Sequence, residues 1–355
     1  MQAILQSAYG EPVDVLSTGE TTKPLPAKGE VLVRVHAASV HADVWHVVKG
    51  WPYVLRLMGG GFARPKNPIP GTDMAGIVES VGDAVTRFKV GDAVFGECAK
   101  GFQWANGGAF AQYVAVSQDA LALKPGNVTF EQAASVPTPG LIAWHNLMGH
   151  RPWRSGQHVL INGAGGGVGA VALQLAKAHG ATVTAVEHTS KLAMVRALGA
   201  DHVLDYTRDD PTQDSGCYDI ILDVASNLNI RDCARVLKPD GVYILIGPDH
   251  YGASGSKWLG SGIPAFLKLL LRTAFNPHLI MPNTAAPNKQ IGTALFAELM
   301  ARGQLTPVVD KTFPLAQVVD AMAYLQSGRA LGRIVLVPFV TAASTSGTPA
   351  PPESP

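Results

Sequence analysis

Apolar residues in the middle of the chain come in short blocks, separated at regular intervals by glycine-rich or polar breaks. Runs rich in Val, Ile and Leu fall at 159–161, 182–186, 202–206, 219–223 and 242–246, with a sixth at 278–282. Between them, 168–178, 190–198 and 228–237 carry apolar positions at helical spacing. Strands alternating with helices predict a doubly wound parallel sheet, because strands buried on both faces need helices to cover them. The first 125 residues follow another pattern. Val31 to Ala37 alternates apolar and polar positions, and 71–96 is a series of short strands punctuated by glycines. Further strands fall at 109–116 and 121–125. That rhythm predicts a small, strongly bent β barrel with glycine at the bends. A short helix is predicted over 41–50, ending at Gly50, and a loop over 51–70. Helical composition over 130–148 is interrupted by VPTPG at 136–140. Helices over 288–302 and 315–326 precede a last strand at 332–337, predicted to return to the first module.

The segment that organises the chain is 159–187. A short strand runs into a glycine cluster, Gly163 to Gly169, then an alanine-rich helix, Gly180, and a second strand ending on Glu187. Strand, glycine turn, helix, strand and acid is the dinucleotide-binding fingerprint. Residues without side chains let the backbone approach a pyrophosphate, and the helix's unpaired N–H groups face the phosphates. The consensus is met as Ala164-x-Gly166-x-x-Gly169, with Ala in the first slot. Gly166, Gly167, Val168 and Gly169 are therefore candidate cofactor contacts, with Asn162 just before the cluster. Gly247, after the strand at 242–246, falls at the sheet edge where nicotinamide should lie.

Composition narrows the function. With 355 residues the chain is long enough for about two domains. Formal net charge is +1 with no basic stripe, which argues against nucleic acid as a partner. The three cysteines form no C-x-x-C and fit a reducing compartment. No basic-then-apolar start is present, so the expected location is cytoplasmic. The stretch 263–271, IPAFLKLLL, is too short to span a bilayer and carries Lys268. It reads as a helix covering a pocket or subunit contact, with a membrane-surface helix as the alternative; no membrane partner is expected. The Ser/Thr/Pro/Ala-rich tail, 341–355, is predicted to be disordered.

Several motifs then fall in one order: S-V-H-A-D at 39–43, G-T-D-x-A-G-x-V at 71–78, V-G-D at 90–92, G-G-V-G at 166–169, Gly199-Ala200-Asp201, and Gly332-Arg333-Ile334-Val335. Across about 1–340 the chain resembles a medium-chain dehydrogenase/reductase of the branch holding quinone oxidoreductases and enoyl reductases. The resemblance implies an α/β fold: a GroES-like β-barrel catalytic domain, 1–125 and 285–340, plus a Rossmann doubly wound parallel sheet, 126–284, with the active-site cleft between them. Zinc-dependent relatives carry a Cys near Ser39, a Gly-His-Glu at Gly71-Thr72-Asp73, and a later Cys. Here Thr72 replaces the histidine, Cys98 has no soft neighbour, and 99–108 holds no Cys. A catalytic zinc needs three protein ligands, so no metal is expected.

Without a Lewis acid, the expected acceptor is one activated by its own conjugation, a quinone or an α,β-unsaturated carbonyl. The resemblance places His41 in the substrate cleft, where it would donate to a carbonyl or supply a proton, or simply line the wall. Tyr53 falls near a proton-donating Tyr of enoyl reductases, with packing as its alternative. Thr138 sits where relatives approach the nicotinamide amide. Cofactor preference is in conflict. Glu187 at the second strand's tip favours NAD(H), because an acid grips the ribose 2′-OH and repels a 2′-phosphate. Lys191 stands at the spacing of a phosphate-binding Lys in NADPH-using quinone reductases, which carry Gly where Glu187 stands. Glu187 could instead pair with Lys191 or point to solvent. Tyr206 matches a family Tyr that packs near the adenosine phosphate, a plain core aromatic being its alternative. The balance favours NADP(H), with NAD(H) open. The competing readings are an alcohol or aldehyde dehydrogenase of the same fold, and a non-catalytic scaffold or membrane-surface protein attached through 258–275. Relatives are often dimers, so a homodimer is the expected assembly beside a small-molecule substrate.

Overall fold

The structure, a computed structural model, describes residues 1–54, 56–57, 61–100, 105–149, 152–213, 216–247, 256–259, 262–273, 276, 279–280 and 286–338. The tail at 341–355 lies outside them.

Six parallel strands form one sheet. In spatial order they are His202–Asp205, Thr182–Glu187, His158–Asn162, Tyr218–Asp223, Leu237–Leu245 and Leu279–Ile280. The chain thus builds outward from His158–Asn162 in one direction and then in the other, so the sheet's switch point lies beside that strand. Side chains sort by period two. Val159, Ile161, Ile220, Leu222, Val242 and Ile244 enter one core. Leu160, Ile221, Tyr243 and Leu245 enter a second core with Cys233, Val236 and Leu269. Burial on both faces is why these strands read as unbroken apolar runs. The strand at Leu237–Leu245 begins earlier than its apolar run, and the one expected over 202–206 ends at Asp205. Of the predicted sixth strand, 278 and 281–282 lie outside the described residues.

The second sheet is organised around Glu30–Val40. This strand pairs antiparallel with Asp73–Val81, Tyr113–Ser117 and Arg333–Val337. The last strand of the chain is therefore built into the first module. Register shifts at Leu32/Val33 and Val35/Ala37 bend the long strand. Gly76 permits the bend, since a Cβ there would lie 2.1 Å from the Arg34 carbonyl oxygen.

The interruption expected at 136–140 falls at 135–136, between helix Phe130–Ala134 and a second helix. Helix Pro137–Met148 begins inside VPTPG, with Pro137 and Pro139 in its first turn. Proline is tolerated there because those N–H groups have no intrahelical acceptor. This helix packs against Gly167–Ala178 and against Lys289–Ala301. Phe296 of the latter presses on Gly140, where a Cβ would meet its ring at 2.7 Å. The same apolar core takes in Ala37, Ala75, Phe95 and Ala122 from the barrel sheet. One continuous core thus joins the two modules and fixes the cleft between them.

Candidate active site

The glycine cluster is a cradle of backbone. Gly163 sits at φ +82°, and its N–H and that of Ala164 bond the Val186 carbonyl. Gly166 caps the helix Gly167–Ala178. Gly169 packs against the turn so closely that a Cβ would lie 2.1 Å from the Gly163 carbonyl oxygen. Val168 is half-buried against the core beneath. The cradle therefore presents a helix N-terminus and no side chain to a ligand, the arrangement that binds phosphate. A nicotinamide dinucleotide fits this donor set.

Glu187 does not point to solvent, and the described ion pairs do not join it to Lys191. It is buried, and its Oε2 accepts the Gly165 N–H at 2.7 Å while Oε1 accepts the His188 N–H at 3.0 Å. A Cβ on Gly165 would meet Glu187 Oε2 and Lys191 Cδ, both at 2.9 Å. The acid and the lysine thus converge on the edge of the cradle. Tyr206 is not a core aromatic: it is 52% exposed, with its ring 5.8 Å from that of His188. Asn162 serves the turn beneath. Its amide donates to Asp223 Oδ1 and Asn227 Oδ1, both at 2.7 Å. Asp223, fully buried, also accepts from the Tyr243 hydroxyl and from the Ser226 and Leu228 N–H groups. Gly247 follows the fifth strand after one residue, Ile246, and lies beside Val224.

Beside the cradle lies a buried polar cluster from four separate segments. The His41 Nε2 is 2.8 Å from the Thr72 hydroxyl, and its Nδ1 is 3.9 Å from Asp43. Burial, reinforced by the Arg333 cation, lowers the His41 pKa well below the usual value, so its imidazole is neutral. Asp73 accepts the Thr138 hydroxyl at 2.5 Å and the Thr138 N–H at 3.1 Å, capping the helix Pro137–Met148. The Ser39 hydroxyl and the Arg333 guanidinium approach its Oδ2 at 3.3 and 3.6 Å. Burial raises the Asp73 pKa to about 7 against the opposing pull of Arg333. Thr138 is thus held by Asp73 within the buried cluster.

Three features of this site were not singled out from the sequence. Arg333 reaches both halves: a Cβ on Gly167 would lie 2.7 Å from its Nη1, and its Nη2 donates to Ser39 Oγ at 3.1 Å. Its position in the terminal GRIV motif was the available signal. Thr72 emerges as the partner of His41. Lys289, from the start of its helix, pairs with the buried Glu97 at 2.7 Å and donates to the Ala99 carbonyl at 2.6 Å. Nothing local in the sequence announces that pair. Tyr53 joins a different contact. Its N–H bonds the Lys257 carbonyl at 2.9 Å, and its ring meets Trp258 edge-on and the Arg56 guanidinium.

The donor set does not fit zinc. Thr72 stands where a histidine would be needed, and the Cys98 Sγ donates to the Thr72 carbonyl at 2.8 Å. Burial, with Glu97 and Asp73 nearby, pushes that thiol's pKa far up, opposite to what a thiolate ligand needs. Among the described residues no three His, Cys, Asp or Glu side chains converge in a metal-binding group.

Residues 27–126 match the family model of the alcohol dehydrogenase GroES-like domain, and residues 198–336 match that of the zinc-binding dehydrogenases. The chain is 31% identical over 347 residues to a chloroplastic quinone-oxidoreductase homolog of Spinacia oleracea, covering 95% of this chain and 98% of that one. It is 31% identical to the chloroplastic NADPH-dependent alkenal/one oxidoreductase of Arabidopsis thaliana, over 96% of this chain and 80% of the relative. The quinone oxidoreductase structure from Coxiella burnetii superposes with a TM-score of 0.75 at 26% identity, over 95% of this chain and 99% of that chain. The chain belongs to the medium-chain dehydrogenase/reductase superfamily, in its quinone and enoyl reductase-like branch.

Proposed function

We propose that this chain is a zinc-independent, NAD(P)H-dependent reductase of quinones or α,β-unsaturated carbonyls, with NADPH its preferred donor. The observation that carries the reading is Arg333, whose single guanidinium spans from the glycine cradle to the buried cluster of Ser39, His41, Thr72 and Asp73. A cofactor site and a water-poor polar site are thereby one cleft. The names of the relatives from spinach and Arabidopsis support the same class of acceptor.

A nicotinamide dinucleotide held by the cradle through its pyrophosphate would supply a hydride. The chain's own residues do the rest. The backbone from Gly166 to Gly169 and Arg333 hold the pyrophosphate, and Thr138, fixed by Asp73, faces the nicotinamide end. Asn162 and Gly247 shape the floor on either side of the switch point. Lys191 takes the 2′-phosphate, with Tyr206 against the adenosine. NADPH is compatible with Glu187 because both carboxylate oxygens already accept backbone N–H groups. In the neutral His41, an Nε2–H bonded to the Thr72 oxygen leaves the Thr72 proton free to stabilise an acceptor oxygen as charge develops. His41 and Thr72 therefore act as a pair, and Tyr53 is the second candidate proton source.

The test follows nicotinamide absorbance while NADPH or NADH is offered with an o-quinone, an enone or a simple alcohol's aldehyde. Turnover of the conjugated acceptors with NADPH preferred is the expected result. Aldehyde reduction alone, abolished by a chelator, would overturn it.

A further inference from the structure

The amphipathic helix Gly262–Thr273 follows the fifth strand of the parallel sheet and packs beside its edge strand Leu279–Ile280. It buries Leu269 against the outer sheet core and turns Leu267, Leu270 and Leu271 outward. These three positions, at helical i, i+3 and i+4 spacing, share one face. They are 50%, 48% and 70% exposed, and Trp258, just upstream, is 65% exposed. An apolar ridge this open on a water-facing surface implies an occupant.

Charge says which kind. No Asp or Glu occurs between Asp249 and Glu298, while Lys257, Lys268 and Arg272 fall inside that span. Lys268 and Arg272 also line a groove with Arg231, Asn229 and Ile230. The adjacent acid, Asp232, faces Arg235 at 4.0 Å. A second copy of the chain is a poor match. A two-fold contact sets a patch against itself, so these cations would meet with no acid of this segment to oppose them. Exposed leucines and a tryptophan flanked by unopposed cations match the interface of a bilayer rich in anionic lipid. Lys268 and Arg272 are long enough to keep their charges at headgroup level while the leucines enter the acyl boundary.

We propose that the helix Gly262–Thr273, with the turn at 257–259, is a docking surface for an anionic lipid bilayer. The chain lies on the membrane through this face and does not cross it; none of its described helices is long and apolar enough to span. The proposal is independent of the acceptor chemistry. Its test is co-sedimentation of the full chain with phosphatidylcholine vesicles, with and without phosphatidylglycerol. Binding at low salt should be roughly tenfold or more tighter to the anionic vesicles and should weaken as salt rises. L267Q/L271Q and K268Q/R272Q should each lose that binding while keeping the thermal unfolding midpoint of the parent. Absence of binding, or equal binding to both vesicles, would overturn the proposal. So would sedimentation equilibrium showing a dimer that L267Q/L271Q converts to monomer, since the face would then be a subunit contact.

Discussion

The two halves of the cleft are made of different materials. The cradle is almost entirely backbone: one turn from Gly163 to Gly169, one helix N-terminus, and an acid that bonds the turn itself. The cluster beside it is almost entirely side chain, drawn from 39–43, 72–73, 138 and 333 and withdrawn from water. The first half binds through groups every sequence possesses, so its only demand is that side chains be missing. The second half depends on which side chains meet after folding. Nucleotide binding is consequently the local and rigid property of this chain. The environment of the reacting atoms is the non-local one.

The comparison breaks most visibly at Gly169. A methyl group there collides with the Gly163 carbonyl and the Ala164 Cα, both backbone atoms of the same turn, which cannot move aside without opening the cradle. Gly169→Ala should cost about 2–4 kcal/mol of stability, in the range of overpacked sites. It should also weaken NADPH binding at least about tenfold, because the N–H groups shift away from the phosphates. Thermal unfolding and fluorescence titration with NADPH measure the two effects. A variant with native affinity would show that the turn tolerates side chains and that its glycines are not what makes it a cradle.

Asp73 is the corresponding point in the cluster. Its folded pKa is raised to about 7, above the ordinary value near 3.9 in an unfolded chain. The folded state therefore binds the proton more tightly. The stability this contributes is fully present below about pH 4 and is lost as pH rises through about 7. Asp73→Asn does not titrate, and its amide nitrogen cannot accept from Thr138. It should cost about 1–3 kcal/mol at acidic pH, the penalty for unsatisfied buried donors. That difference should shrink toward neutral pH and above. Urea midpoints of both proteins across this pH range decide the matter; a gap that widens with pH would mean that Asp73 is held as the carboxylate.

The cradle was legible in the sequence because glycine spacing is itself the physical requirement, and the flanking apolar runs placed it between a strand and a helix. The parallel sheet followed from the same alternation; the spatial order of its strands did not. The cluster was legible only in pieces. His41 and Thr138 were candidates through resemblance, but their partners were not, because Thr72 and Asp73 meet them only when the barrel strand Asp73–Val81 is set against the helix Pro137–Met148. VPTPG does interrupt the helical run, but only at its start: Pro137 and Pro139 already occupy the first turn of the next helix, where proline is tolerated. Glu187 was placed correctly in the chain, but its bond to Gly165 depends on how the turn folds back over the second strand.

A smaller effect sharpens the cradle's outer edge. If Lys191 takes the 2′-phosphate, Lys191→Ala should raise the KM for NADPH by roughly ten- to a hundredfold, the scale of one or two charge-assisted hydrogen bonds. The KM for NADH should barely move, since NADH has no group for the ammonium to meet. Glu187→Ala should also disturb NADH, because the lost carboxylate leaves the Gly165 N–H without its partner. Steady-state kinetics with both cofactors separate the two residues. Equal losses for NADPH and NADH in Lys191→Ala would remove Lys191 from the specificity determinants and leave it as packing over Gly165.

The smallest expected effect is none at all, and it probes the cluster. Each group that could take zinc is otherwise engaged or wrongly charged. His41 spends its Nε2 on Thr72, Asp73 is occupied by Thr138 and Ser39, and Cys98 is a buried thiol whose Sγ donates to a carbonyl. Moving these groups onto a metal would uncap the helix Pro137–Met148 and ionise the thiol against burial and two neighbouring acids. Reduction of an enone by NADPH should therefore proceed at the same rate before and after prolonged dialysis against a strong chelator, and added zinc should not raise it. A chelator-sensitive rate restored by zinc would mean that the cluster rearranges on metal binding, and the contrast between a backbone cradle and a side-chain network would have to be redrawn with the metal at its centre.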